Sequence, residues 1–103
     1  MSGIYQKVEV TQKELQEIAA EKGSIRVGAT KDPDARADFY QTPSGGGYSG
    51  TIYYAKTDNM MKAEDRLLDT ALDTGGGRHN SHSVSNAKEE PGHVYVIKGK
   101  KFS

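Results

Sequence analysis

Four stretches of the chain combine β-branched, aliphatic and aromatic residues in the short runs typical of β-strands. The clearest is residues 93–97, His-Val-Tyr-Val-Ile, which follows the turn-forming pair Pro91-Gly92. The others are residues 8–10, 24–30 and 51–56. We expect the runs at 24–30, 51–56 and 93–97 to be the core strands of a sheet.

Three helices are predicted between these strands, because each intervening stretch opens with residues that cap a helix. Thr11 and Glu14 have the spacing of a capping box. Asp32 precedes Pro33, and aspartate is a favoured N-cap whereas proline suits the first helical position. An Asp-Asn pair at 58–59 can cap the third helix. The predicted helices run from residue 11 to the glycine at 23, from 32 to about 40, and from 59 to 72.

Composition predicts one small α/β domain over residues 1–103. A chain of 103 residues buries only a modest core. The hydrophobic fraction is 34%, and the charge balance lacks the excess of one sign that marks disordered chains, so the chain is expected to fold. Glycine-rich stretches at 42–50 and 73–77 predict loops, and residues 98–103 predict a loose basic tail.

Charge and cysteine content limit the function classes. Fourteen Lys and Arg balance fourteen Asp and Glu, so no overall field would draw the molecule onto nucleic acid or an anionic membrane. The lack of cysteine excludes a disulfide framework and a thiolate metal site. No apolar run is long enough for a signal peptide or a membrane span. We therefore expect an intracellular protein, cytoplasmic or nuclear, without a membrane partner, and we assume a monomer while leaving the oligomeric state open.

Glu64 occupies an unusual position in the third predicted helix. At about 100° per residue it falls in the middle of the apolar side, opposite the polar side. An ionised carboxylate removed from water needs a cation, a metal or several hydrogen bonds. Two interpretations follow: an ion pair with Lys or Arg at the edge of the core, or a metal ligand or acid-base group. The apolar side consists of Met60, Ala63, Leu67, Leu68 and Ala71.

The stretch from Arg26 to Thr30, followed by Arg36 and then Tyr40, resembles the second half of the GIY-YIG nuclease motif. In that family a strand ending in Tyr-Ile-Gly leads into a helix that bears an arginine and, one turn later, a histidine or tyrosine. Arg36 and Tyr40 are four residues apart and therefore share a helix face. The resemblance implies an α+β fold with a small three-stranded antiparallel central sheet flanked by helices.

Later parts of the family pattern also have counterparts in this chain. The family continues with a third strand and then a helix with a metal-binding glutamate, which correspond to residues 51–56 and Glu64. An asparagine follows in the family, for which Asn80 is the first candidate and Asn86 the second. One departure is that Arg26 stands where the second motif has its tyrosine.

The leading Gly-Ile-Tyr strand of the family is missing in front of residue 24, where a helix is predicted instead. Gly3-Ile4-Tyr5 matches its letters, but the helix from Thr11 separates it from Arg26. Residues 92–97 match the looser pattern of a glycine followed by an aliphatic-tyrosine strand, and this alternative is preferred. The GIY-like strand then lies at the C-terminal end of the chain, which is a circular permutation.

The resemblance implies a metal-dependent endonuclease that hydrolyses DNA phosphodiester bonds. Glu64 would bind one Mg²⁺ or Mn²⁺, Tyr95 would activate water, and Arg36 would neutralise charge on the phosphoryl oxygens. Tyr40 would hold a phosphate or the nucleophile, and Asn80 would complete the catalytic set. Each has a simpler interpretation: Tyr95 as a core aromatic, Arg36 in an ion pair with Asp32, and Tyr40 as an aromatic at a helix end.

DNA is the partner that the resemblance implies, with contacts expected from the basic residues Arg26, Lys31, Lys98 and Lys100. Arg26 at the tyrosine position and the neutral net charge favour a second hypothesis, a binding or structural module that keeps the fold without the chemistry. The histidines at 79, 82 and 93 offer a third, a transition-metal site, but His79 and His82 have no third ligand at a convincing spacing.

Overall fold

A computed structural model describes residues 5–21, 24–42, 48–73 and 87–101. Within these ranges the fold is α+β, with three helices and a four-stranded mixed sheet. The elements in chain order are β1 (Tyr5–Glu9), α1 (Gln12–Ala20), β2 (Ser24–Thr30), α2 (Pro33–Gln41), β3 (Tyr48–Thr57), α3 (Met60–Asp73) and β4 (Gly92–Lys101). No helix in this part of the chain is long and apolar enough to cross a membrane.

The sheet order is β1-β3-β4-β2, so the last strand lies between β3 and β2. β4 is antiparallel to both neighbours, with Val96 opposite Val27 of β2 and Tyr53 of β3. β1 is parallel to β3. The expectation of a three-stranded antiparallel sheet is therefore incomplete, because β1 adds a fourth, parallel strand. Residues 5–9 are mostly polar, as suits an edge strand, and this polarity weakened the sequence signal.

β3 (Tyr48–Thr57) and β4 (Gly92–Lys101) extend beyond the predicted runs 51–56 and 93–97, so residues 48–50, predicted as loop, belong to β3. β1 (Tyr5–Glu9) also differs from the predicted run 8–10, since it begins three residues earlier and ends one residue earlier. β4 continues to Lys101, which pairs with Tyr48 at the start of β3. The prediction of a loose tail from Lys98 is therefore wrong as far as Lys101, and residues 102–103 lie outside the described ranges. The physical reason is that ladder hydrogen bonds join backbone groups, so lysine-rich segments can pair as strands when a neighbouring strand is available.

The predicted helix starts are confirmed. Thr11 Oγ1 accepts a hydrogen bond from the Glu14 N–H, and Glu14 Oε1 accepts one from the Thr11 N–H, both at 3.1 Å. Asp32 Oδ1 accepts from the N–H of Ala35 at 3.1 Å. The Asn59 side chain caps α3 in the same way. These bonds satisfy backbone donors that the first turn of a helix leaves unpaired.

Helices cover both faces of the sheet. α1 and α3 pack against Val27, Val94 and Val96 on one face, whereas α2 packs with Tyr95 and Ile97 on the other. Residues 94–97 are each at most 2% exposed. A central strand that is buried on both faces reads as an unbroken apolar run, which explains why this strand was the clearest in the sequence.

Candidate functional site

A cavity of about 220 Å³ lies at the β2 edge of the sheet. Its walls come from β2, α2, α3 and β4, together with Ala87, which precedes β4. Five of the predicted site residues line it: Arg26, Arg36, Tyr40, Glu64 and Tyr95. The fold thus brings together residues that are as far as 69 positions apart in the sequence, from Arg26 to Tyr95.

Glu64 is the one buried charged side chain in the described part of the chain, at 4% exposure. Its position on the apolar side of α3 is confirmed, since Leu67 and Leu68 beside it are at most 1% exposed. The cavity that Glu64 enters also contains the side chains of Arg26 and Arg36. Positive charge in this cavity offsets the cost of burying the carboxylate.

Tyr40 and Tyr95 both line the cavity and contact each other. Their hydroxyl oxygens are 2.7 Å apart and share a hydrogen bond, and their ring centroids are 5.9 Å apart. Tyr95 points from β4 across its paired residue Gly28 in β2. A Cβ atom at Gly28 would collide with the Tyr95 ring and hydroxyl, so the glycine makes room for this side chain.

Arg26 is bound to Tyr40. Its Nε–H donates to the Tyr40 hydroxyl at 2.9 Å, and its guanidinium carbon lies 5.3 Å from the centroid of the Tyr40 ring. The second distance is within the range of a cation–π contact. The residue at the motif-tyrosine position thus joins the two cavity tyrosines in one hydrogen-bonded chain, Arg26–Tyr40–Tyr95.

The pKa of the Tyr95 hydroxyl is raised well above its ordinary value of 10.0. Burial is the main cause, followed by the charge and the hydrogen bond of Tyr40, whereas Arg36 and Arg26 act in the opposite direction. Burial thus holds Tyr95 in its protonated form. It can position water or a phosphoryl oxygen through hydrogen bonds.

Arg36 is not in the surface ion pair that offered a simpler interpretation. No ion pair joins Arg36 to Asp32 among the described residues, and the Asp32 carboxylate instead caps α2. Arg36 lines the cavity, and it also lines a neighbouring depression that contains Phe39. This arginine is therefore placed where two concave surfaces meet.

The predicted lysine contacts lie elsewhere. Lys31 pairs with Glu90 at 3.0 Å and Lys98 pairs with Glu21 at 2.9 Å, and neither lysine lines the cavity. Lys100 belongs to β4, but its side chain lies outside the described part of the structure. The two candidate asparagines, Asn80 and Asn86, also lie outside the described ranges.

His93 is separate from the cavity of Glu64. It lines a different depression of about 600 Å³, its ring meets Tyr54 edge-on at 5.8 Å, and its Nδ1 is buried without a hydrogen-bond partner among the described residues. His79 and His82 lie outside those residues. Across residues 5–21, 24–42, 48–73 and 87–101, no three Asp, Glu, His or Cys side chains gather as a metal-binding group.

Sequence reasoning missed two contributors to the site. Gly28 was noted only as part of a motif, although a glycine inside a strand often marks the close approach of another group. Phe39 was not singled out, and only its one-turn spacing from Arg36 and its proximity to Tyr40 in the sequence would have drawn attention to it.

No protein-family model, curated protein or solved structure matches this chain. The resemblance to the GIY-YIG motif therefore stays a prediction from the residues quoted above.

Proposed function

We propose that this chain is a metal-dependent endonuclease-like domain that hydrolyses DNA phosphodiester bonds. The observation that carries the proposal is the cavity that the buried Glu64 lines together with Arg26, Arg36, Tyr40 and Tyr95. A carboxylate, two guanidinium groups and two hydroxyl groups in one concave site are the groups that phosphoryl transfer requires for charge stabilisation and positioning.

The strand arrangement supports a permuted GIY-YIG topology. In the family a short hairpin joins the two motif strands, so they are antiparallel neighbours. β4 and β2 are antiparallel neighbours here, with Tyr95 opposite Gly28, and β3 lies on the other side of β4. Tyr5 begins β1, which pairs with β3 rather than with β2, so this strand is a poorer counterpart of the leading strand.

The donor groups are compatible with one Mg²⁺ or Mn²⁺ held by Glu64. Mg²⁺ commonly takes one or two carboxylates and completes its coordination with water and substrate phosphate. A single buried carboxylate that lines an open-sided cavity meets this requirement. When bound, the ion would polarise the scissile phosphate and stabilise the leaving oxygen.

The other side chains of the cavity have separate roles in the proposed reaction. Arg36 neutralises charge on the phosphoryl oxygens, because a guanidinium matches phosphate in geometry and charge. Arg26 holds Tyr40 in place by its 2.9 Å hydrogen bond. Only one hydrogen can lie between the Tyr40 and Tyr95 oxygens, so when Tyr40 donates this bond, the Tyr95 hydroxyl donates to a phosphoryl oxygen or orients a water molecule.

A second candidate function is a binding or structural module without nuclease activity. The observation that favours it is Arg26, which stands at the motif-tyrosine position and engages Tyr40. Such a module would retain the phosphate-binding guanidinium groups and would not hydrolyse the phosphodiester bond.

A plasmid assay tests the nuclease proposal. Purified protein with Mg²⁺ or Mn²⁺ should convert supercoiled DNA to the nicked circle, and EDTA should stop the reaction. Glu64→Gln keeps the side-chain shape, removes the charge, and should lower the rate by about a hundredfold or more. Asp69→Asn is the matched control, since it makes the same change at an exposed site on the same helix, outside the cavity.

Circular dichroism of each variant shows whether the change affects folding, because Glu64 is buried. Absence of nicking by the folded wild-type protein would favour the module without chemistry. Equal nicking by Glu64→Gln and wild type would contradict the assignment of this cavity as the active site.

A further inference from the structure

Phe39 is an exposed aromatic side chain next to the candidate site. It is 47% exposed, and Val8 is the only other exposed large hydrophobic side chain among the described residues. Its neighbours on α2, Ala37 and Tyr40, are buried against the sheet. Exposure of a phenylalanine costs hydrophobic free energy, so the exposed ring is a candidate contact surface.

A second depression, of about 420 Å³, contains this ring. Arg36 lines both this depression and the cavity of Glu64. The ring of Phe39 lies 5.7 Å from that of Tyr40, which belongs to the first cavity. The two concave surfaces are therefore adjacent and share Arg36, with Phe39 in the lining of one and Glu64 in the lining of the other.

Two of the acidic residues of α2 lie outside the second depression. Asp34 and Asp38 are four residues apart on the helix, and Lys7 of β1 lies 3.6 Å and 3.5 Å from their carboxylates. Asp32 lines the second depression, but its carboxylate accepts the Ala35 N–H at the positive end of the helix dipole. Asp32 is thus the one acidic residue among those that line the second depression, and its carboxylate is already engaged.

An aromatic ring beside a guanidinium is the combination that binds single-stranded nucleic acid, because bases stack on the ring while the phosphate pairs with the cation. Duplex DNA keeps its base faces stacked within the helix. We propose that the Phe39 depression holds an unpaired nucleotide beside the scissile phosphate, its base stacked on Phe39 and its phosphate on Arg36. This inference rests on the proposed function and makes the substrate DNA with a single-stranded segment.

Fluorescence anisotropy tests the inference without hydrolysis. The probes are a fluorescein-labelled oligothymidylate of about 12 nucleotides, a length typical of single-strand sites, and a blunt duplex of equal length. Wild-type protein in EDTA should bind the single strand more tightly than the duplex. Phe39→Leu removes the aromatic face and should weaken single-strand binding by about tenfold, whereas Phe39→Tyr should restore it.

Two controls accompany these variants. Arg66→Gln removes an exposed positive charge from α3 outside both depressions and should leave the preference for single strands intact. Circular dichroism and thermal unfolding should show that Phe39→Leu folds as the wild type does, because the side chain is half exposed.

The outcomes separate this inference from the proposed function. Binding that depends on Phe39, with no cleavage in Mg²⁺ of either the plasmid or the labelled single strand, would support the nucleotide site and reject the nuclease activity. Nicking that depends on Glu64, with equal single-strand affinity for wild type and Phe39→Leu, would reject the nucleotide site alone. Tighter binding of the duplex, or binding of neither probe, would also overturn the inference.

Discussion

Tyr95 connects the candidate site to the centre of the sheet. It is 2% exposed, it belongs to the central strand β4, and its hydroxyl is bound to that of Tyr40. Burial makes the phenolate form costly, which raises the pKa of Tyr95 well above that of tyrosine in an unfolded chain. One side chain thus contributes both to the core and to the hydrogen-bonded chain of the cavity.

The raised pKa of Tyr95 predicts a loss of stability in alkali. The unfolded chain releases this proton near pH 10, whereas the folded protein retains it, so above about pH 10 the unfolded state becomes relatively more favourable. The contribution is therefore complete below about pH 10 and is lost as the pH rises toward the folded pKa. Urea unfolding at several pH values should show this decline.

Tyr95→Phe identifies the group responsible. At neutral pH the variant should be less stable by about 1 kcal/mol, since it loses the hydrogen bond to Tyr40. The stability difference from wild type should narrow above about pH 10, because phenylalanine has no proton to release. A difference that stays constant with pH would show that Tyr95 does not titrate in this way.

The helices depend on short local motifs at their N-termini. In α1 the capping box of Thr11 and Glu14 precedes Leu15 and Ala19, which are fully buried against the rest of the core. Hydrogen bonds from the Thr11 backbone and hydroxyl lower the pKa of Glu14. α1 therefore begins at this capping box and packs on α3 through Leu15 and Ala19.

Removal of the cap should destabilise the whole domain. Thr11→Ala leaves the Glu14 N–H without its side-chain acceptor and should lower the free energy of unfolding by about 1 kcal/mol. Thr11→Ser is the matched control, because it keeps the hydroxyl and should stay close to wild type. Urea unfolding at neutral pH measures both, and equal stability of Thr11→Ala and wild type would show that the cap does not contribute.

At the scale of the whole molecule, the strand nearest the C-terminus forms the middle of the sheet. β4 pairs with β2 on one side and β3 on the other, and helices cover both of its faces. Among the described strands β1 pairs with β3 alone, and it forms one edge of the sheet. The most protected part of the fold is therefore completed by residues far along the chain.

Amide hydrogen exchange should follow this arrangement. The amides of residues 94–97 should exchange slowest, at rates approaching those of global unfolding, because their backbone bonds lie in the centre of the sheet. The amides of residues 6–9 in β1 should exchange faster. NMR spectra recorded after transfer into D₂O measure both groups, and equal protection of β1 and β4 would contradict the strand order.

Much of the site followed from local sequence. Glu64 on the apolar side of its helix, and Arg36 and Tyr40 one turn apart, depend only on helical periodicity. The bonds that connect these residues did not follow. Arg26 meets Tyr40 across 14 positions, and Tyr40 meets Tyr95 across 55. Such contacts depend on strand pairing and on how α2 packs against the sheet, which no local pattern specifies.

The sequence by itself determined the helices, their caps and the apolar run of β4, because caps and periodicity arise among residues a few positions apart. Tertiary structure decided that β1 is a parallel edge strand, that the lysines after Ile97 continue β4, and that Lys31 and Lys98 pair with carboxylates outside the cavity. The physical reason is that backbone ladders and ion pairs form between groups that the packed helices and strands bring together. Which groups come together depends on how the whole core is buried.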